Sequence, residues 1–102
     1  MVTNDKDIPK RAYGELMYYL EREYRKLEIV FSKVHFIGNQ KDVWILILSY
    51  WEDCKHFYNK NDYIKAFELV NYIWGMLDIL ANLDLLEIPR DVKKWFKIEQ
   101  NN

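Results

Sequence analysis

Apolar side chains recur every three or four positions along three long tracts, separated by short polar breaks. In the first tract Tyr13, Leu16, Leu20, Tyr24, Leu27, Phe31 and Val34 form one stripe at helical period. Asp7 and Pro9 suit the start of that helix. Gly38-Asn39 suits its end, because both residue types tolerate a left-handed backbone. A second helix is expected from Lys41-Asp42 to Tyr58 or Asn59. Its first half, Val43 to Leu48, is apolar on every face and also fits a buried strand. Val43, Leu46 or Ile47, Tyr50, Cys54 and Phe57 carry one face onward through polar sequence, and this decides for helix. Asn59-Lys60-Asn61-Asp62 is turn chemistry, with Asp62 as N-cap. The third helix should run from Tyr63 to about Leu83, with Ile64, Phe67, Val70, Trp74, Leu77 and Ala81 facing inward. Pro89 opens a short final helix from Arg90 to about Lys97.

The expected fold is all-α: an up-down-up three-helix bundle with a short C-terminal helix. Residues 1–8 read as a flexible N-terminus, 9–97 as a single bundle domain and 98–102 as a flexible tail. Antiparallel register follows from the turns. Facing residues should sum to roughly 78 across the first turn and 121 across the second, at about 1.5 Å per residue. Asp53 then lies level with Arg25, Leu46 near Gly75 and Val43 near Asp78. The first helix overhangs the second turn by about two turns. That overhang presents Tyr13, Leu16 and Met17 as interface positions, with Trp44 and Trp51 as further ones.

Composition narrows the function classes. The chain has 102 residues, 50% hydrophobic and 30% charged, which suits one folded domain. A net charge of −1 supplies no basic field for nucleic acid or anionic membrane. One cysteine, Cys54, excludes an intrachain disulfide and a multi-cysteine zinc site. The longest apolar run, Val43 to Leu48, is far short of the roughly 20 residues of a membrane helix. The N-terminal ten residues lack an apolar signal core, so a cytoplasmic location is expected. Aromatic residues make up 17% of the chain, more large apolar surface than one small core hides, and this points to an interface.

No catalytic constellation emerges, and no metal or cofactor is expected. Asp53 and His56 have the carboxylate-x-x-histidine spacing of bundle metal sites, but the second copy is missing. Cys54 faces inward and His56 does not, so the thiol lacks a base. Gly75 sits inside a helix, where close packing of Leu46 or Trp44 explains it; the sharper reading is a ligand or partner pressed on bare backbone. Asp78 needs a partner, and the register offers the free N–H groups at the start of the second helix, beside Lys41. Arg90, Lys93, Lys94 and Lys97 form a basic patch beside Trp95 and Phe96. It reads as the wet side of a docked helix rather than a nucleic-acid surface.

Tyr50-x-x-Asp53-Cys54-x-x-Phe57, then Asp62-Tyr63-x-x-Ala66-Phe67, then Tyr72-x-x-Gly75-x-Leu77-Asp78, resembles an archaeal family of small helical proteins, domain of unknown function number 357. The signature positions are Tyr50, Asp53, Phe57, Asp62, Ala66, Tyr72, Gly75, Leu77 and Asp78. Cys54 replaces an alanine usual in that pattern, and Leu83-Asp84 stands where the family often has Leu-Gly. The resemblance implies a three-helix bundle and an archaeal cytoplasmic source, and it supplies no catalytic residues. Asn61 to Ala66 also looks like the turn and second-helix start of a tetratricopeptide hairpin, but a single copy cannot form a solenoid. The functional expectation is a non-enzymatic module that binds itself, as a homodimer, or another protein. The alternative is an accessory, RNA- or ligand-binding subunit with its site where Asp78 meets the second helix.

Overall fold

Amphipathic periodicity becomes three long helices in the computed structural model, which describes residues 10–99. Helix α1 spans Lys10–Lys33, β1 His35–Phe36, α2 Lys41–Asn59, α3 Tyr63–Asn82, β2 Leu86–Glu87 and α4 Arg90–Lys93. The Asp7–Pro9 start signal lies outside the described residues. Val43–Leu48 is helical, as the continuing face of α2 requires. Asp62 caps α3, its carboxylate accepting from the Lys65 N–H at 3.4 Å.

The register agrees with the turn geometry. Tyr50 stacks on Tyr72 at 5.8 Å, and the Cys54 thiol donates to the Ala66 carbonyl at 3.5 Å. Across the first turn Tyr24 meets both Trp51 and Tyr58, and Phe31 meets both Trp44 and Trp51. Helices α2 and α3 form a closely packed hairpin, and α1 lies across one of its sides, nearer α3. Aromatic rings fill the wider gap to α2: Tyr24 stacks on Tyr58 at 3.9 Å, and Phe31 on Trp51 at 5.1 Å. Much of the aromatic excess is therefore spent inside the chain.

The core lies between α1 and the hairpin. Leu20, Leu27, Val30, Ile47, Ile73 and Leu77 are fully or almost fully buried, and each such side chain contributes about 1.5–3 kcal/mol. The α1 stripe is buried as expected at Leu20, Tyr24, Leu27 and Val34, and Val70, Leu77 and Ala81 are buried on α3, but the inward faces of α2 and α3 are partly rotated from the expected ones. Ile73 and Leu80 are buried, whereas Ile64, Phe67 and Trp74 are half-buried. On α2 the buried line is Ile47, Trp51 and Cys54, while Val43 and Leu46 face water. Helix α2 has apolar residues on competing faces, and the ring ladder with α1 selects the one bearing Trp51.

Three local expectations are corrected. Helix α1 ends at Lys33, and its exit strand β1 pairs antiparallel with β2, His35 opposite Glu87 and Phe36 opposite Leu86. Neither Gly38 nor Asn39 has positive φ; a Cβ at Gly38 would sit 2.6 Å from the Phe36 ring, so that glycine makes room for an aromatic. The last helix is one turn, Arg90–Lys93, rather than reaching Lys97. Val92 within it and Phe96 beyond it are buried, Ile98 packs on the core, and the Glu99 N–H donates to Asn82 at 2.7 Å. The docked chain thus extends past Lys97.

Candidate functional site

Among the described residues α1 covers only one side of the α2–α3 hairpin and leaves the other side open. Val43, Leu46 and Tyr50 follow one another at three- and four-residue spacing on α2. Tyr72, Gly75 and Ile79 do the same on α3, and Leu83 at its C-cap continues the row. The Tyr50–Tyr72 stack joins the two rows into one surface. Tyr72 and Ile79 are each 62% exposed, Leu83 61%, Leu46 52% and Val43 40%. A contiguous apolar surface of this kind marks an interaction site on a folded protein. On the opposite flank of α2, Ile45 and Leu48 are also exposed.

Gly75 lies in the middle of this surface. A Cβ built there meets nothing within 4 Å, so the glycine does not admit Leu46 or Trp44. Close packing within the chain, the expected reason for Gly75, does not hold. The position leaves bare helix backbone facing outward at a cost of about 1 kcal/mol relative to alanine.

The signature residues divide by role. Ala66 and Leu77 are core, Asp62 is the cap, and Phe57 is half-buried beneath the Lys65 ammonium at 5.2 Å from its ring. Tyr50, Tyr72 and Gly75 belong to the open face. Asp53 is exposed and does not pair with Arg25, because Arg25 is held by Glu28 at 2.8 Å and Glu21 at 3.7 Å on its own helix. The Asp78 carboxylate is not bonded to the start of α2. It accepts from the Lys97 N–H at 3.0 Å, and Asn82 donates to the Asp78 and Lys97 carbonyls at 2.7 and 2.8 Å. Residue 78 lies on the flank of α3 that receives the C-terminal segment, so the expected site between Asp78, Lys41 and the α2 N-terminus is not formed.

The expected interface residues also separate. Trp51 is buried at 5% exposure between Tyr24 and Phe31 and cannot serve a contact surface. Trp44 is half-buried between Phe31 and Phe36. Tyr13, Leu16 and Met17 are half-buried on the part of α1 that precedes Leu20, its first buried residue. This is the overhang read from the register, for the α1 partners of Tyr58, near the second turn, are Glu21, Tyr24 and Arg25. The sequence pointed to α1 and missed the hairpin face. Its signal was the all-round apolar character of Val43–Leu48 together with an unpaid-for Gly75.

The remaining chemical groups are held in structure. Burial pushes the Cys54 thiol up to about 12, leaving it protonated and unreactive at neutral pH. His56 is exposed with its ring edge-on to Phe57. Among the described residues no group of three or more His, Cys, Asp or Glu side chains could hold a metal ion. Arg90, Lys93, Lys94 and Lys97 are exposed around the buried Val92 and Phe96. Asp91 pairs with Lys33, whose ammonium holds that carboxyl below its ordinary range. Tyr19, Arg22, Phe67, Trp74, Asp78 and Trp95 are among the residues lining a cleft of about 310 Å³, where the Trp74 indole N–H is buried without an acceptor. No described helix is long and apolar enough to cross a membrane.

A family model described as Protein of unknown function (DUF357) matches residues 17–86, from the α1 overhang to the first residue of β2. No curated protein and no solved structure matches the chain.

Proposed function

The chain belongs to the DUF357 family, and on that premise we propose that it is a non-enzymatic protein–protein interaction module working through the open side of its α2–α3 hairpin. One observation carries this reading. Tyr72, Ile79, Leu83 and Leu46 are all more than half exposed around a mid-helix glycine whose added Cβ would meet no described residue within 4 Å. Leaving such side chains in water forfeits their burial energy, and a partner recovers it. Its setting is the cytoplasm, consistent with a free, buried thiol.

A photo-crosslinking residue in place of Tyr72, in cells that make the protein, tests the reading. The expected result is a discrete protein adduct that the same residue in place of His56 does not give. Equal labelling from both positions, or none from either, overturns it.

A further inference from the structure

The open hairpin face is built to close on itself. Resting on the interaction reading above, we infer that its occupant is a second copy of this chain, docked about a two-fold axis that passes close to Gly75. A two-fold contact uses one patch twice, so the patch must offer both projection and hollow, with residue i meeting j and j meeting i. This patch does. Gly75 is a hollow of bare backbone. Tyr72 projects about one turn before it and Ile79 about one turn after it. Rotation about an axis at Gly75 lays Tyr72 of one copy against Ile79 of the other and lets the two α3 backbones approach closely, as small residues at helix crossings do.

Charge allows the same pairing. On α3 no charged residue falls between Glu68 and Asp78, and on α2 none falls between Asp42 and Glu52. Asp78 itself is turned away, its carboxylate accepting from the Lys97 N–H. Doubling the patch therefore sets no like charges against each other at its centre, and the net charge of −1 gives little long-range repulsion. Size agrees as well. The exposed apolar side chains offer on the order of 500 Å² per copy. With their polar rim, two copies approach the lower end of the roughly 1,200–2,000 Å² buried in stable complexes. The face is two helices wide, the width of another hairpin.

Sedimentation equilibrium of the purified protein across the micromolar range tests this. A monomer–dimer equilibrium is expected, with Gly75→Leu and Ile79→Lys each raising the dissociation constant roughly tenfold or more, and His56→Ala leaving it unchanged. Both variants should keep the wild-type circular dichroism, since both positions face water. Placing a thiol at the axis gives an independent reading in a Cys54→Ala background. Gly75→Cys weakens the resting contact as any side chain there does, but the two axial thiols still meet in the transient dimer, so mild oxidation at high protein concentration should trap an intermolecular disulfide that Glu52→Cys does not give. A monomer at every concentration overturns the inference, as does a dimer indifferent to residues 75 and 79. If the purified protein is monomeric while position 72 still crosslinks to a different protein in cells, the second-copy inference falls and the interaction reading stands.

Discussion

The two sides of the α2–α3 hairpin carry the same classes of residue and meet opposite fates. Toward α1, Ile73 and Leu77 are 0% exposed and packed among Leu20, Leu27 and Val30. Away from α1, Ile79 and Leu83 project into water two and six positions further along the same helix. Small residues divide in the same way. Ala66 is buried, with its carbonyl accepting from the Cys54 thiol, whereas a Cβ at Gly75 would meet no described residue within 4 Å. Apolarity alone therefore does not say what a helix face is for. One face holds the chain together, and the other is surplus to the monomer.

The largest expected contrast is between truncations on the two sides. Leu77→Ala removes side-chain volume from a filled core and should lower unfolding free energy by about 2–5 kcal/mol. Ile79→Ala, at a position 62% exposed, should change it by less than about 0.5 kcal/mol in the monomer. Urea denaturation at low protein concentration measures both. A large loss for Ile79→Ala under those conditions would mean that the open face is packed within the chain.

High pH should act through the covered side. Burial, the leading cause in each, pushes Tyr24, Tyr58 and Cys54 up to about 12, from ordinary values of 10.0, 10.0 and 9.0. Tyr58 is held up further by donating to the Glu21 carboxylate. All three groups are neutral when protonated, and the folded state keeps the proton where the unfolded state has lost it. Their contribution is complete below about pH 9 and falls away as pH rises toward 12. The midpoint of urea unfolding should therefore drop across that range. Tyr58→Phe should flatten the drop, because it removes one titrating group and keeps the ring stack with Tyr24.

A third flank of α3 is covered by the chain's own C-terminal segment, through Asn82 and Asp78. Asn82→Ala removes the donor to two carbonyls and the acceptor for the Glu99 N–H. A loss of about 1–2 kcal/mol is expected. Hydrogen exchange should place it first at the amides of Lys97 and Glu99, with the α2–α3 seam unaffected. Uniform acceleration across the chain would show that this segment is not a separate covering layer.

How much of this was legible depended on whether the deciding interaction is local. The three helices, the turn at Asn59–Asp62 and the Asp62 cap follow from periodicity and short-range hydrogen bonding, and the register follows from turn position. The rotation of α2 does not. Val43, Leu46, Ile47, Tyr50 and Trp51 present two competing apolar faces, and only the rings of α1 decide that Trp51 goes inward. Asp78 was misplaced for a related reason, because its partner is a backbone N–H of a segment with no periodicity to read. The β1–β2 pairing was invisible in two-residue strands. Asp84 has φ 59, a left-handed conformation that glycine adopts most readily and that nothing in the local periodicity announces. Gly75 was legible as an anomaly and not as a site, since sequence shows a missing side chain but not the empty space around it.

That empty space gives the smallest effect and the most discriminating one. Gly75→Ala adds a methyl group where nothing lies within 4 Å and replaces a poor helix former with the best one. In the monomer it should raise unfolding free energy by about 0.5–1 kcal/mol. At a two-fold crossing the same methyl separates the two helix backbones, so self-association should weaken. Opposite signs from one substitution are not available to a glycine that merely tolerates its place: such a residue would gain stability and leave assembly untouched. Thermal unfolding at low concentration and sedimentation at high concentration, on the same preparation, therefore divide a surface selected for contact from one that is simply left uncovered.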